Sequence, residues 1–192
     1  MPTPHLSGIC VFCGSSSGRH AEFAEEARHL GQILAEHSIP LIYGGGRLGL
    51  MGEVSDSVLA AGGNVVGVIP QHLIEMEVAH HGVSDLVVVD GMHSRKRRMF
   101  DLSDAFIVLP GGLGTLDELF EILTWKQLRL HSKPVILVNT KGYWDPLLTL
   151  TGHLVSEGFA RSESQLLFQL VESVTEALPA ILRELAGQPE LF

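Results

Sequence analysis

Every residue of Ala105-Phe106-Ile107-Val108-Leu109 is apolar, and a strand with no polar face has to be covered on both sides. Comparable short runs alternate with longer stretches of helical periodicity. The pattern predicts strands over residues 9–14, 41–43, 65–69, 86–89, 105–109, 135–138 and 167–171. Between them it predicts helices over 20–37, 50–61, 92–102, 115–130 and 144–157, with a closing helix over 175–185. Strict strand–helix alternation with right-handed crossovers gives a parallel sheet sandwiched by helices. The expected architecture is therefore an open, doubly wound, Rossmann-like α/β fold of six to seven strands. No repeat, linker or low-complexity segment interrupts it, so residues 1–192 are expected to form one nucleotide-binding domain.

Ligands of such sheets bind beyond the carboxyl ends of the strands, which directs attention to the loops there. Gly14-Ser15-Ser16-Ser17-Gly18 follows the first strand, and Gly44-Gly45-Gly46-Arg47-Leu48-Gly49 follows the second. Pro110-Gly111-Gly112-Leu113-Gly114-Thr115 follows the fifth and runs straight into a helix. Backbone N–H groups at a helix start, unobstructed by side chains, form a phosphate cradle. One such loop could simply be a tight turn needing positive φ; three on one sheet edge point to an anionic ligand.

The second loop formally fits the dinucleotide fingerprint. However, the next strand ends in Pro70-Gln71 and offers no acid for a ribose hydroxyl, which disfavours nicotinamide and flavin. No G-x-x-x-x-G-K-[ST] occurs. The ten histidines lack H-x-x-x-H or H-x-x-E-H spacing, so no metal is expected. Cys10 and Cys13 lie around an apolar run on opposite faces of a strand and read as buried, reduced thiols. No cofactor is called for.

Charge narrows the partners. Thirteen Lys and Arg against 22 Asp and Glu give a net charge of −9, which argues against nucleic acid and anionic membranes. No run approaches the roughly 20 apolar residues that span a bilayer, and the first residues do not resemble a signal peptide. A soluble cytoplasmic protein is the expectation. Four basic residues, Arg95-Lys96-Arg97-Arg98, form a positive island early in the fourth helix-forming stretch from the closing end of the sheet pattern, residues 92–102. Three of them read as solvated charges. Arg95, nearest the sheet's carboxyl edge, could hold phosphate or orient a carboxylate, since guanidinium suits both.

On the helix over 115–130, Leu116, Leu119, Phe120 and Leu123 make a stripe expected to pack on the sheet. Glu118 and Glu121 fall on the other side with Ile122, Trp125 and Leu128, and Asp117 points elsewhere. A helix apolar on both sides is normally buried on both. A homodimer whose interface includes this outer face, and whose partner chain walls off the acids, is therefore expected.

Taken together, Pro110-Gly111-Gly112-Leu113-Gly114-Thr115-Leu116-Asp117-Glu118 resembles the P-G-G-x-G-T-x-x-E signature of the Lonely Guy family of cytokinin-activating phosphoribohydrolases, once labelled lysine decarboxylases. Val11-Phe12-Cys13-Gly14-Ser15-Ser16, Tyr43-Gly44-Gly45-Gly46, Gly67-Val68-Ile69-Pro70 and Met92-His93-Ser94-Arg95-Lys96 agree in the same order. The resemblance implies hydrolysis of a purine nucleoside 5′-monophosphate to free base and ribose 5-phosphate. It implies Arg95 and Glu118 as catalytic residues, and an Arg95-Lys96 pair that contacts substrate. Gly111, Gly112, Gly114 and Thr115 become the nucleotide-phosphate loop, with Leu113, Leu116 and Asp117 in the same binding segment. Glu77 aligns with a ligand-contacting glutamate, and Thr124 is expected on the pocket wall. Gly14, Ser15, Gly44, Gly45, Gly46 and Glu121 complete the candidate site.

Relatives of this kind are commonly dimers, which supports that expectation independently. Leu113 and Asp117 stand where plant members commonly carry tyrosine and glutamate, leaving adenine and N6-prenylated adenine both open as the base. Two other readings remain. One is a non-catalytic nucleotide or molybdenum-cofactor carrier of the same fold. The other, the old decarboxylase label, needs a pyridoxal phosphate lysine from among Lys96, Lys126, Lys133 and Lys141.

Overall fold

A computed structural model describes residues 6–74 and 78–187. Seven strands form one sheet, and every pairing is parallel: β1 (Ile9–Phe12), β2 (Leu41–Tyr43), β3 (Val65–Pro70), β4 (Asp85–Val89), β5 (Ala105–Val108), β6 (Val135–Val138) and β7 (Gln169–Val171). The spatial order is β4-β3-β2-β1-β5-β6-β7. The chain therefore builds outward from β1 to one edge, returns to place β5 on the other side of β1, and builds to the opposite edge. The order reverses between β1 and β5, where Ile9, Cys10, Val11 and Phe12 pair with Ala105, Phe106, Ile107 and Val108. Loops leaving the two strands there diverge and open a crevice.

Alternation along β1 shows how the sheet is covered. Ile9, Val11 and Cys13 join one core layer with Phe23, Ala27, Leu30 and Leu34 of α1 (Ala21–Glu36), Val54 and Val58 of α2 (Gly49–Ala60), and Ala177 and Ile181 of α6 (Val174–Gly187). Cys10 and Phe12 face the other layer, with Met99 of α3 (Met92–Asp101), Leu119, Ile122 and Leu123 of α4 (Leu113–Gln127), and Leu147 of α5 (Asp145–Ser156). Both cysteines are free and buried on opposite faces, as their odd spacing requires. Three helices thus cover each face, the doubly wound arrangement read from the sequence. No helix among the described residues is long and apolar enough to cross a membrane.

The faces of α4 differ from the helical-wheel expectation. Ile122 is buried in the core, whereas Phe120 is exposed. Trp125 is half-buried, its ring edge-on to Phe100 of α3 at 5.1 Å. The helix is flanked as well as floored. Phe100 covers one side, and Leu147 and Trp144 share the cluster beneath it, so the buried arc is rotated away from the stripe the sequence suggests.

Candidate active site

The crevice between β1 and β5 is closed below by three loops tied together through their backbones. The Gly14 N–H donates to the Pro110 carbonyl at 3.0 Å, and the Leu50 N–H donates to the Gly14 carbonyl at 3.0 Å. This contact draws the loops after β1 and β5 and the start of α2 into one wall. Several glycines here leave no room for a side chain. A Cβ on Gly111 would run into the Thr115 hydroxyl, and one on Gly44 would run into the Arg95 guanidinium.

Above this wall lies a cavity of about 230 Å³. Gly112, Leu113, Gly114 and Thr115 supply the start of α4, with Gly112 at its N-cap. The first-turn N–H groups of a helix have no intrahelical partner, so this wall offers donors and the positive end of a helix dipole. Glu118, one turn further on, and Arg95 of α3 line the same cavity, as do Gly14, Ser15 and Gly44. A donor-rich cradle, a carboxylate and a guanidinium therefore share one space.

Arg95 is only 4% exposed. Its Nε donates to the Val68 carbonyl at 3.1 Å and its Nη2 to the Gly44 carbonyl at 2.6 Å. The side chain is thus built into the ends of β3 and β2. Its neighbour Lys96 points the other way, toward α4. Its Nζ lies 2.8 Å from Glu121 Oε2 and 3.1 Å from Asp117 Oδ2. Burial works to lower the Lys96 ammonium pKa, but the two carboxylates outweigh it and hold the pKa above the ordinary lysine value. Two consecutive residues of α3 are thereby split between the cavity and a clamp on α4.

Other expected residues lie around this centre. Gly111 lines an adjoining cavity of about 240 Å³ with Ser15, Ser16, Ser17, Phe23 and Tyr143. Leu116 faces an apolar depression with Phe120 and Leu150. Asp117 and Glu121 are engaged by Lys96. Exposed Thr124 donates its hydroxyl to the Phe120 carbonyl at 2.6 Å. Gly45, at φ +78°, packs on Ile69, and Gly46 pairs with Ala79 in an isolated bridge. Neither Gly45 nor Gly46 lines the central cavity. Glu77 lies outside the described residues.

Sequence reasoning missed Val11, Cys13, Met51 and Met92 on the cavity wall. They are apolar or weakly polar and advertise no chemistry. Val11, Cys13 and Met92 lie within the family-like segments; otherwise the signal is position, since each of the four sits at the carboxyl edge of a strand or the first turn of a helix. Burial, and then the nearby Glu118 charge, push the Cys13 thiol far above its usual pKa. It is therefore no thiolate nucleophile at neutral pH.

A family model described as "Possible lysine decarboxylase" matches residues 51–181. A cytokinin riboside 5′-monophosphate phosphoribohydrolase of Rhodococcoides fascians is 43% identical over 181 residues, covering 94% of this chain and 90% of that protein. One from Oryza sativa subsp. japonica is 49% identical over 157 residues, 82% of this chain and 65% of that protein. Among solved structures, a molybdenum cofactor binding protein from the phototrophic bacterium Rippkaea orientalis superposes with a TM-score of 0.71 at 23% identity. It covers 93% of this chain and 97% of that one, and the likeness is one of fold alone.

Proposed function

Because this chain belongs to the Lonely Guy family of phosphoribohydrolases, we propose that its cavity hydrolyses the N-glycosidic bond of a purine nucleoside 5′-monophosphate. Water is consumed; free base and ribose 5-phosphate leave. The observation that carries the assignment of roles is that Glu118 and Arg95 line the same cavity as the N-terminal turn of α4.

Breaking an N-glycosidic bond develops positive charge on the ribose, as in an oxocarbenium ion. Glu118 is the carboxylate that faces the cavity, and it stabilises that charge and activates the attacking water. The N–H groups from Gly112 to Thr115 receive the 5′-phosphate, and binding energy spent there holds C1′ against Glu118. Arg95 cannot act as an acid, because guanidinium does not deprotonate in proteins. It holds the Gly44 turn and contributes fixed positive charge to the pocket. Lys96 tethers Asp117 and Glu121, neither of which lines the cavity that Glu118 faces.

None of the four lysines lines the cavity. Lys126 pairs with Glu184, Lys141 with Glu22, and Lys133 donates to the Phe100 carbonyl. A pyridoxal phosphate decarboxylase would need one of them inside. The second part of the reading is a homodimer. Its support is exposed apolar surface on adjacent helices, with Phe120 of α4 and Leu150 of α5 lining one depression. Incubation of the pure protein with AMP, assayed for free adenine, tests the reading. A carrier binds without releasing base.

A further inference from the structure

The glycine loop before α4 presents donors to the cavity only if its carbonyls are turned away, and each of the three is taken. The Pro110 carbonyl accepts from the Gly14 N–H, and the Gly112 carbonyl from the Leu116 N–H at 3.1 Å, the opening bond of α4. The middle one, on Gly111, accepts from the Tyr143 hydroxyl at 2.6 Å, across 32 residues of sequence. Two of the three bonds run backbone to backbone; the third comes from a side chain.

That placement is elaborate. Tyr143 follows the 3-10 turn Thr140–Gly142, in which Lys141 and Gly142 both take positive φ, +58° and +70°. Non-glycine residues adopt such a φ only when the surroundings hold them there. Lys141 is held by Glu22 of α1 at 2.9 Å. Asn139 ties the turn to the start of α5, its side chain accepting from the Trp144 N–H at 2.7 Å and donating to Asp145 at 2.9 Å. The Tyr143 ring is gripped edge-on by Phe23 at 5.7 Å and Trp144 at 4.9 Å. So held, the hydroxyl of this exposed side chain meets the Gly111 carbonyl.

We infer that Tyr143 is a positioning residue for phosphate recognition: its hydroxyl holds the Gly111 carbonyl out of the cavity and so keeps the Gly112–Thr115 donors aimed at the substrate phosphate. The role rests on the phosphoribohydrolase reading for the identity of the anion. A single hydrogen bond at a preorganised loop is worth a several-fold change in affinity.

Tyr143→Phe removes one oxygen and keeps the ring packing. The Kd for ribose 5-phosphate and the KM for AMP are expected to rise together, about fivefold. The kcat should stay within about twofold, and adenine affinity and melting temperature should not change. An unchanged Kd for ribose 5-phosphate overturns the role, as does an equal loss of adenine affinity or a loss confined to kcat. The two readings fail separately. A wild type that hydrolyses AMP beside an unaffected variant refutes only the positioning role. A variant with weakened ribose 5-phosphate binding, beside a wild type that releases no base, refutes only the enzyme. A wild type that binds neither ribose 5-phosphate nor AMP refutes both.

Discussion

Arg95 illustrates how one residue serves the fold and the site together. Two buried carbonyls, on Val68 and Gly44, depend on it for donors. Replacing it with alanine leaves both unsatisfied in a dry environment, a cost of about 2–3 kcal/mol. Arg98, three residues on, is exposed, and its removal should stay within about 0.5 kcal/mol. Arg95→Ala is therefore expected to lower the urea midpoint clearly and to cut kcat/KM about a hundredfold, a loss typical of removing one preorganised charge or donor. Arg98→Ala should match the wild type in both. Equal losses in the two variants would mean that only summed positive charge matters.

The rest of the basic run is largely neutralised. Lys96 binds two carboxylates and Arg97 pairs with Asp101 at 2.9 Å. Four consecutive positive residues looked like one island in the sequence. Helical geometry sends each in a different direction, which one-dimensional charge counting cannot resolve.

At the scale of elements, His131 couples the end of α4 to the start of β6. Its Nε2–H donates to the Ile122 carbonyl at 2.8 Å, and its Nδ1 accepts from the Lys133 N–H at 3.1 Å. That pair of bonds needs the neutral ring, because a proton on Nδ1 would face the Lys133 amide. Burial lowers the His131 pKa below its ordinary 6.5, against the pull of the Ile122 carbonyl and helped by Lys126 and Lys133. The unfolded chain therefore takes up a proton near pH 6.5 while the folded one resists. The stabilisation is complete above that pH and lost as pH falls below it. His131→Gln should lower stability at pH 7.5 yet show a smaller further loss on going to pH 5.5 than the wild type. Urea titrations at the two pH values check this, and an equal drop in both proteins would remove His131 from the account.

The central strands were legible because strands covered on both faces, such as β1, β5 and β6, carry no polar positions, and all seven strands and six long helices appear within a few residues of where periodicity puts them. The three glycine loops were legible for the same reason as the sheet edge: topology fixes which strand ends face the ligand. The orientation of α4 was not. A helical wheel ranks faces by hydrophobicity alone, and Ile122 and Phe120 are interchangeable to it. Which one is buried depends on Phe100 and Trp144 from neighbouring segments. Tyr143 was equally hidden, since its value lies in a contact 32 residues away.

For the whole molecule, α4 and α5 carry part of the exposed apolar surface, and Phe120 and Leu150 share one depression there. Leu113 is 85% exposed, and Phe120, Leu150 and Leu154 add to it. An apolar patch of this kind marks a contact surface. A second copy fits the symmetric self-association that is commonest among soluble oligomers. Light scattering after size exclusion should give twice 20.8 kDa for the wild type and 20.8 kDa for Phe120→Glu. A wild-type mass of 20.8 kDa at micromolar concentration would rule the dimer out.

The central claim is the hydrolysis itself, and the most direct measurement follows both products from AMP and from its N6-prenylated analogue. Wild-type protein should release free base and ribose 5-phosphate in equal amounts, and no base from the unphosphorylated nucleoside. Glu118→Gln should still bind the nucleotide within a few-fold while turnover falls about a hundredfold or more. Nucleotide binding without base release by the wild type would contradict the account, as would near wild-type turnover by Glu118→Gln.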